Sequence, residues 1–240
     1  MSDPTITFFQ NSPPQTVFAP TWNYAIYEGD IKNVNFKTLA KFILKKEKEI
    51  LKRKKVDTVT DRGFGKGAVR SKPLKDATDG YTGLGGQSIT ARHKDYNLLD
   101  WEHPDIPNLK KGILDAHARY LKELQIPLYP ELYAQCWANV MRKGEHIKPH
   151  LHGINAYCYL GGLIVVQADN TNTNYINPVN QVNEPEIHAS PNKTGKICLF
   201  PSYIPHYTDV HPSAKPRITI AFDLVVSKTC LLYTSPSPRD

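Results

Sequence analysis

Three histidines crowd the run GEHIKPHLH: His146, His150 and His152. On an extended chain, side chains two apart point to the same side, so His150 and His152 can address one point while Leu151 faces away. Paired imidazoles at that spacing suit a transition metal. Far along the chain comes LFPSYIPHYTDVHPSAKPRITIAF, where a strand is expected to end at Pro201, His206 follows in a turn, and Arg217 opens the next strand 11 residues after His206. In an antiparallel sandwich, strand ends from the two segments can meet at one mouth and set a cation beside a metal. A lone histidine is ordinarily a satisfied or solvent-facing side chain, and the weight here lies in the joint pattern. His146, separated from the pair by Pro149, reads as a rim residue. His211, in a Pro-flanked loop, reads as exposed.

The elements that must position these residues change character along the chain. From Glu131 onward the period is that of strands: LYAQCWANVM, HIKPHLH, AYCYLGGLIVVQ, TNYINP, GKICLFP and PRITIAFDLVV. Short strands punctuated by Gly, Pro and Asn predict an antiparallel double-sheet sandwich or jelly roll. Gly161 and Gly162 interrupt a buried strand, which predicts a bulge or a close approach. Two helices come before. The first has Asn35 as N-cap, with Phe36, Leu39, Ile43, Ile50 and Leu51 at helical spacing and a basic outer face running to Lys55. The second spans Leu109 to Leu124, with Leu109, Ile113, Ala116, Tyr120 and Leu124 on one face, and is stopped by Pro127 and Pro130. Both are expected to pack on one outer face of the sandwich.

The chain opens with a short extended segment, Thr5 to Phe9. The stretch Asp57 to Pro107 is rich in turn formers, with GFGKG and GYTGLGGQS, and reads as long loops. Gly63, Gly65 and Gly67 do not make a phosphate loop, because no strand feeds them and the GxxxxGK[ST] spacing is absent. Together this gives a mainly β fold with N-terminal helices. Residues 1–228 are expected to be one domain, a helical support over roughly 1–130 and a jelly-roll core over roughly 131–228. The last stretch, Thr229 to Asp240 (TCLLYTSPSPRD), breaks character, resembles translated sequencing adapter, and is set aside as an assembly artefact.

The 240 residues carry a net charge of +7 and a pI of about 9.1. That would suit an acidic partner, but it speaks to association and not to fold. Much of the excess sits on the first helix, read first as a solvated face and second as a phosphate-binding stripe. The four cysteines form no CxxC pair, which fits reduced thiols and a cytoplasmic setting better than a disulfide framework or structural zinc. No run approaches the roughly 18 to 20 apolar residues of a membrane span, and Met1 to Gln10 lacks a signal-peptide pattern.

The His-x-His pair, the later His206 and the following Arg217 resemble the iron- and 2-oxoglutarate-dependent dioxygenases built on the double-stranded β-helix, a jelly-roll, cupin-like core. Asn139, Gly144, His150 and His152 reproduce the N-x4-G-x5-H-x-D frame of the AlkB-type oxygenases, with His152 where Asp is expected. IKPHLH is similar to the YEPHFD run of prolyl 4-hydroxylase-type enzymes. Arg217, Ile218 and Thr219 resemble the R-x-S motif that binds the tail of 2-oxoglutarate. With GYTGLGGQS, LGGLIVV, FPSYIPH and PRITIAF, the chain resembles the 2-oxoglutarate/iron oxygenases common in marine phages, over roughly Gly80 to Asp223. The first 75 residues contribute nothing.

The resemblance implies Fe(II) held by His150, His152 and His206. It implies 2-oxoglutarate gripped by Arg217 and Thr219, with Asn139 and Tyr159 as further co-substrate contacts, and O2 as oxidant for hydroxylation of a C–H bond. Asn139 could instead satisfy a buried strand end, and Tyr157 and Tyr159 could be core. Because His152 replaces the carboxylate, three outcomes stay open: His152 as third ligand, Asp169 or Glu145 completing the site, or lost catalysis. A peptide or prolyl substrate comes first and a nucleic-acid base second. The alternatives are a non-catalytic jelly-roll binding or structural module, and a three-His dioxygenase that binds substrate directly. Arg217 argues against the latter, since a cation there has an obvious role only if a dicarboxylate is held.

Overall fold

A computed structural model describes residues 4–8, 16–18, 24–52, 82–129, 131–153, 159–168, 170–178 and 186–226. The strands are β1 (Thr5–Phe8), β2 (Ala25–Asp30), β3 (Leu132–Met141), β4 (Leu160–Gln167), β5 (Asn172–Ile176), β6 (Ile187–Pro191), β7 (Lys196–Pro201), β8 (His206–Thr208) and β9 (Arg217–Val226). The helices are α1 (Phe36–Lys52) and α2 (Ile106–Glu123), with 3-10 turns at Ile89–Arg92 and Leu98–Asp100. The fold is mainly β: a six-stranded sheet in the order β1-β2-β7-β4-β9-β3 and a three-stranded sheet in the order β6-β5-β8, with every pairing antiparallel.

Period-two alternation explains how the large sheet serves two cores. On β9, Ile218, Ile220, Phe222 and Leu224 join Cys136, Ala138 and Val140 of β3 under the helices. On the other face, Leu163 and Val165 of β4 and Cys198 and Phe200 of β7 pack with Tyr175 of the small sheet. Both helices lie on the first face, as expected: α1 against β4 and α2 against β7 and β2. Asn35 caps α1 by accepting the Thr38 N–H at 3.2 Å. The buried Tyr120 hydroxyl donates to the Ala25 carbonyl at 2.6 Å and fixes α2 on β2. Glu47, buried on α1, takes a two-pronged ion pair from Arg142 just past β3, at 3.0 and 2.7 Å.

Several expectations are corrected. HIKPHLH is not a regular strand. It runs beside β8 out of regular register: His150 and His206 form an isolated bridge, but the Thr208 N–H reaches the Ile147 carbonyl at 3.0 Å, one residue off the ladder, and the Lys148 N–H turns away to the Thr82 carbonyl at 2.8 Å. His206 is not in a turn but begins β8, paired with Tyr175. His211 is buried, not exposed: its Nε2 lies 2.6 Å from the Lys215 carbonyl, and the loop folds back over it. Gly161 and Gly162 mark close approaches, and the irregularity of β4 lies later, between Val165 and Gln167. Within the loop region, residues 82–107 hold the two 3-10 turns and the start of α2. Gly63, Gly65, Gly67, Tyr157, Asp169, the basic residues Arg53, Lys54 and Lys55 and the stretch Thr229 to Asp240 lie outside the described residues.

Candidate metal centre

The segment 147–152 runs antiparallel to β8 and carries two histidines to the third. His150 and His206 exchange backbone hydrogen bonds at 3.0 and 2.9 Å, and the His152 N–H donates to the Ser202 carbonyl at 2.9 Å. The rings follow the backbones, with His150 and His206 centroids 4.3 Å apart, His152 and His206 5.1 Å, and His150 and His152 5.7 Å. One ligand atom from each lies within 4.8 Å of the others.

Each ring is fixed through the same nitrogen. Nδ1 of His150 faces the Lys148 carbonyl at 2.9 Å, and Nδ1 of His206 faces the Ile204 carbonyl at 3.0 Å. Nδ1 of His152 lies 2.5 Å from an oxygen of Asp223. A carbonyl can only accept, so Nδ1 carries the proton in the first two, and in all three Nε2 is left for a ligand. Burial, reinforced by the neighbouring imidazole of His152, holds His150 down at about 4. Burial and then the other two imidazoles hold His206 well below the usual histidine range. Neutral rings with free lone pairs are what a divalent metal requires. These three residues can hold one.

The large sheet contributes the floor. Arg217, Thr219, Ala221 and Asp223 alternate to the same face of β9 and line, with the histidines, a cavity of about 190 Å³. Asn139 and Trp137 of β3 lie beside them, in register with Thr219 and Ala221. Arg217 is 1% exposed. The guanidinium donates to the Met141 sulfur and the Thr173 hydroxyl, both at 3.3 Å, and its Nε has no partner. The carboxylate of Asp209 is engaged by the Asn172 backbone and side chain and by Asn174. Burial lowers the guanidinium to about 10, so it remains charged at neutral pH. A buried, charged fork with unfilled donors fits an anionic ligand such as a carboxylate. The Thr90 hydroxyl donates to Asn139 Oδ1 at 2.8 Å, which leaves the amide hydrogens of Asn139 as its unused donors.

Not every expected residue arrives. Tyr159 is corrected: its hydroxyl lies 2.6 Å from His117 Nε2 of α2, with the ring packed against Tyr129 and the helix-side core. It does not line the cavity. Glu145 turns to its own loop and accepts the Arg142 N–H at 2.6 Å. His146 is exposed and outside the cavity. Sequence reasoning missed His93, Thr90, Trp137 and above all Asp223, which all line the cavity. Arg217 and Thr219 were selected by the R-x-S resemblance, and alternation along β9 sets Asp223 on the same face without giving it a role.

Residues 135–223, the segment that supplies the three clustered histidines, Asn139, Arg217 and Asp223, match the family described as "Putative 2OG-Fe(II) oxygenase". No curated protein matches the chain. Among solved structures it is similar to AviO1 from Streptomyces viridochromogenes Tue57, with 10% identity over 89% of this chain and 92% of that one and a TM-score of 0.51. It also matches a Trichoplax adhaerens prolyl hydroxylase solved with a hypoxia inducible factor oxygen degradation domain peptide fragment, at 14% identity over 88% and 87% with a TM-score of 0.45. A Pseudomonas putida prolyl-4-hydroxylase follows at 12% identity over 54% and 69%, TM-score 0.39. The first shares the overall fold, while the family match rests on the sequence of the segment that builds the cavity. Residues 135–223 are thus similar to the 2-oxoglutarate/Fe(II) oxygenases, oxidoreductases whose family implies Fe(II), 2-oxoglutarate and O2.

Proposed function

We propose that the chain is a jelly-roll 2-oxoglutarate oxygenase in which His150, His152 and His206 hold Fe(II) through Nε2. Arg217 and Thr219 take the distal carboxylate of 2-oxoglutarate, with Asn139 as a further donor to the co-substrate. The observation that carries this reading is the buried Arg217 guanidinium with an unpartnered Nε, in the same cavity as three imidazoles whose Nδ1 atoms are already engaged. Bound Fe(II) with 2-oxoglutarate and O2 supplies the oxidising chemistry. The protein's part is positional: the three imidazoles would hold the metal, Arg217 would set the co-substrate's orientation, and Ile147, Leu163 and Phe200 give the cavity an apolar lining that would exclude water.

The prime substrate is a C–H bond of a peptide, prolyl residues first. The exposed lysines of α1 (Lys41, Lys45, Lys48 and Lys52) belong to the helical layer, across the large sheet from the cavity. A basic stripe there gives no help in presenting a nucleic-acid base to the histidines, which favours the peptide over the base. The test is anaerobic titration with Fe(II) and then 2-oxoglutarate. The expected result is a visible charge-transfer band that saturates at one equivalent of each. Iron binding without that band leaves the direct-binding three-His dioxygenase, and no iron binding leaves a non-catalytic module.

A further inference from the structure

Three neutral imidazoles leave a bound divalent metal with its whole double charge, whereas a set with one carboxylate ligand cancels half of it. The structure supplies a carboxylate one atom-shell further out. Asp223 Oδ1 lies 2.5 Å from His152 Nδ1, and the carboxylate lines the same cavity as the histidines. Asp223 is the register partner of Gly161 on β4. A methyl group on Gly161 would sit 2.9 Å from His152 Nδ1 and 3.0 Å from Phe200 Cε2. The missing side chain therefore opens the space in which the His152 ring lies against the sheet, within reach of Asp223. His150 and His206 have only peptide carbonyls at the equivalent nitrogen, so His152 alone of the three is paired with an acid.

We infer that Asp223 is a positioning residue for the metal centre: it fixes His152 with Nε2 toward the metal and returns, through the imidazole, the negative charge that the ligand set lacks. The inference rests on the three-histidine reading above. A ligating imidazole that donates to a carboxylate is a better electron donor, and loss of such a partner lowers metal affinity by roughly 10-fold to 100-fold. Asp223 takes part in no backbone irregularity, and its side chain is 35% exposed, so removing its charge leaves the fold intact.

The test is Co(II) binding, read from ligand-field absorption, which requires no turnover. Asp223→Asn, which can still accept from Nδ1 but is neutral, should raise the Co(II) dissociation constant about tenfold. Asp223→Ala should raise it toward a hundredfold and shift the bands. In a His152→Asp background, where the carboxylate is restored to the ligand set, Asp223→Asn should change affinity by less than about twofold, because the effect acts through His152. Melting temperatures of the metal-free variants check the fold. Wild-type affinity and spectrum in both Asp223 variants would overturn the proposal, as would an equal loss in the His152→Asp background. Failure of the wild type to bind Co(II) would instead overturn the three-histidine centre itself.

Discussion

At the scale of single residues, the cavity holds three imidazoles that could take a metal and one guanidinium that could not. Arg217 bonds to Met141 and Thr173 and to none of the histidines, and its unfilled Nε is what suits it to a carboxylate. A charge-assisted bond to a carboxylate contributes about 1.5 to 3 kcal/mol. Arg217→Ala should therefore raise the KM for 2-oxoglutarate roughly tenfold to a hundredfold while leaving iron binding near wild type. Arg217→Lys should recover part of the loss, since a point charge replaces the fork. Succinate release and iron content measured side by side check this. His152→Ala should weaken metal binding, whereas His152→Asp should retain it, and iron analysis after gel filtration separates the two. The His-x-His pair was legible from spacing, whereas His206 and Arg217, far along the chain, were joined to it by the resemblance. Asp223 was not legible, because its meaning lies in an ångström-scale pairing with a residue 71 positions away. Tyr159 was misread for a related reason: strand alternation was extended one residue beyond the point where β4 begins.

Elements show why two adjacent glycines are not equivalent. Gly161 opens toward His152, whereas a methyl group on Gly162 would sit 2.2 Å from Phe222 Cζ and 2.7 Å from the Cys198 carbonyl on the helix side. Gly161→Ala should displace the imidazole and lower metal affinity with a modest loss of stability. Gly162→Ala should strike the core and destabilise by about 1 to 3 kcal/mol or more, with metal affinity in the surviving folded protein little changed. Urea denaturation and Co(II) titration of the pair distinguish the two faces. Strands with long apolar alternation, such as β3 and β9, and both helices were readable from periodicity. β8 was not, since three residues beginning with a histidine after Pro205 carry no period. The segment 146–152 was read as a strand because its histidines alternate, but its pairing with β8 slips by one residue at Ile147 and leaves only an isolated bridge at His150.

For the whole molecule, the two sheets are joined by a buried polar cluster as well as by Tyr175 and Phe200. Glu28 of β2 pairs with Lys196 of β7 at 2.6 Å, accepts from Ser190 of β6, and has His188 at 3.6 Å. Burial alone would raise its pKa, but the Lys196 ammonium and the Ser190 hydroxyl, with the His188 ring close by, outweigh it and hold the carboxyl at about 2. A folded value below the unfolded one means stabilisation that is complete above the unfolded pKa and lost as pH falls toward the folded one. Between about pH 5 and pH 2 the wild type should lose roughly 2 to 3 kcal/mol more than Glu28→Gln. The pH dependence of the urea midpoints reads that difference directly. No described helix is long and apolar enough to cross a membrane.

The histidines come from the small sheet and the segment docked on it, while Arg217, Thr219 and Asn139 come from the large sheet. On the proposed reading, metal and co-substrate act as a thermodynamic staple between the two halves of the molecule, favouring only the folded chain. Each ligand at 100 times its dissociation constant then adds about 2.7 kcal/mol, or roughly 5 to 10 °C in Tm for a chain of this size. Saturating Co(II) and 2-oxoglutarate together should raise the melting temperature by more than either alone, and in Arg217→Ala the second increment should shrink while the first survives.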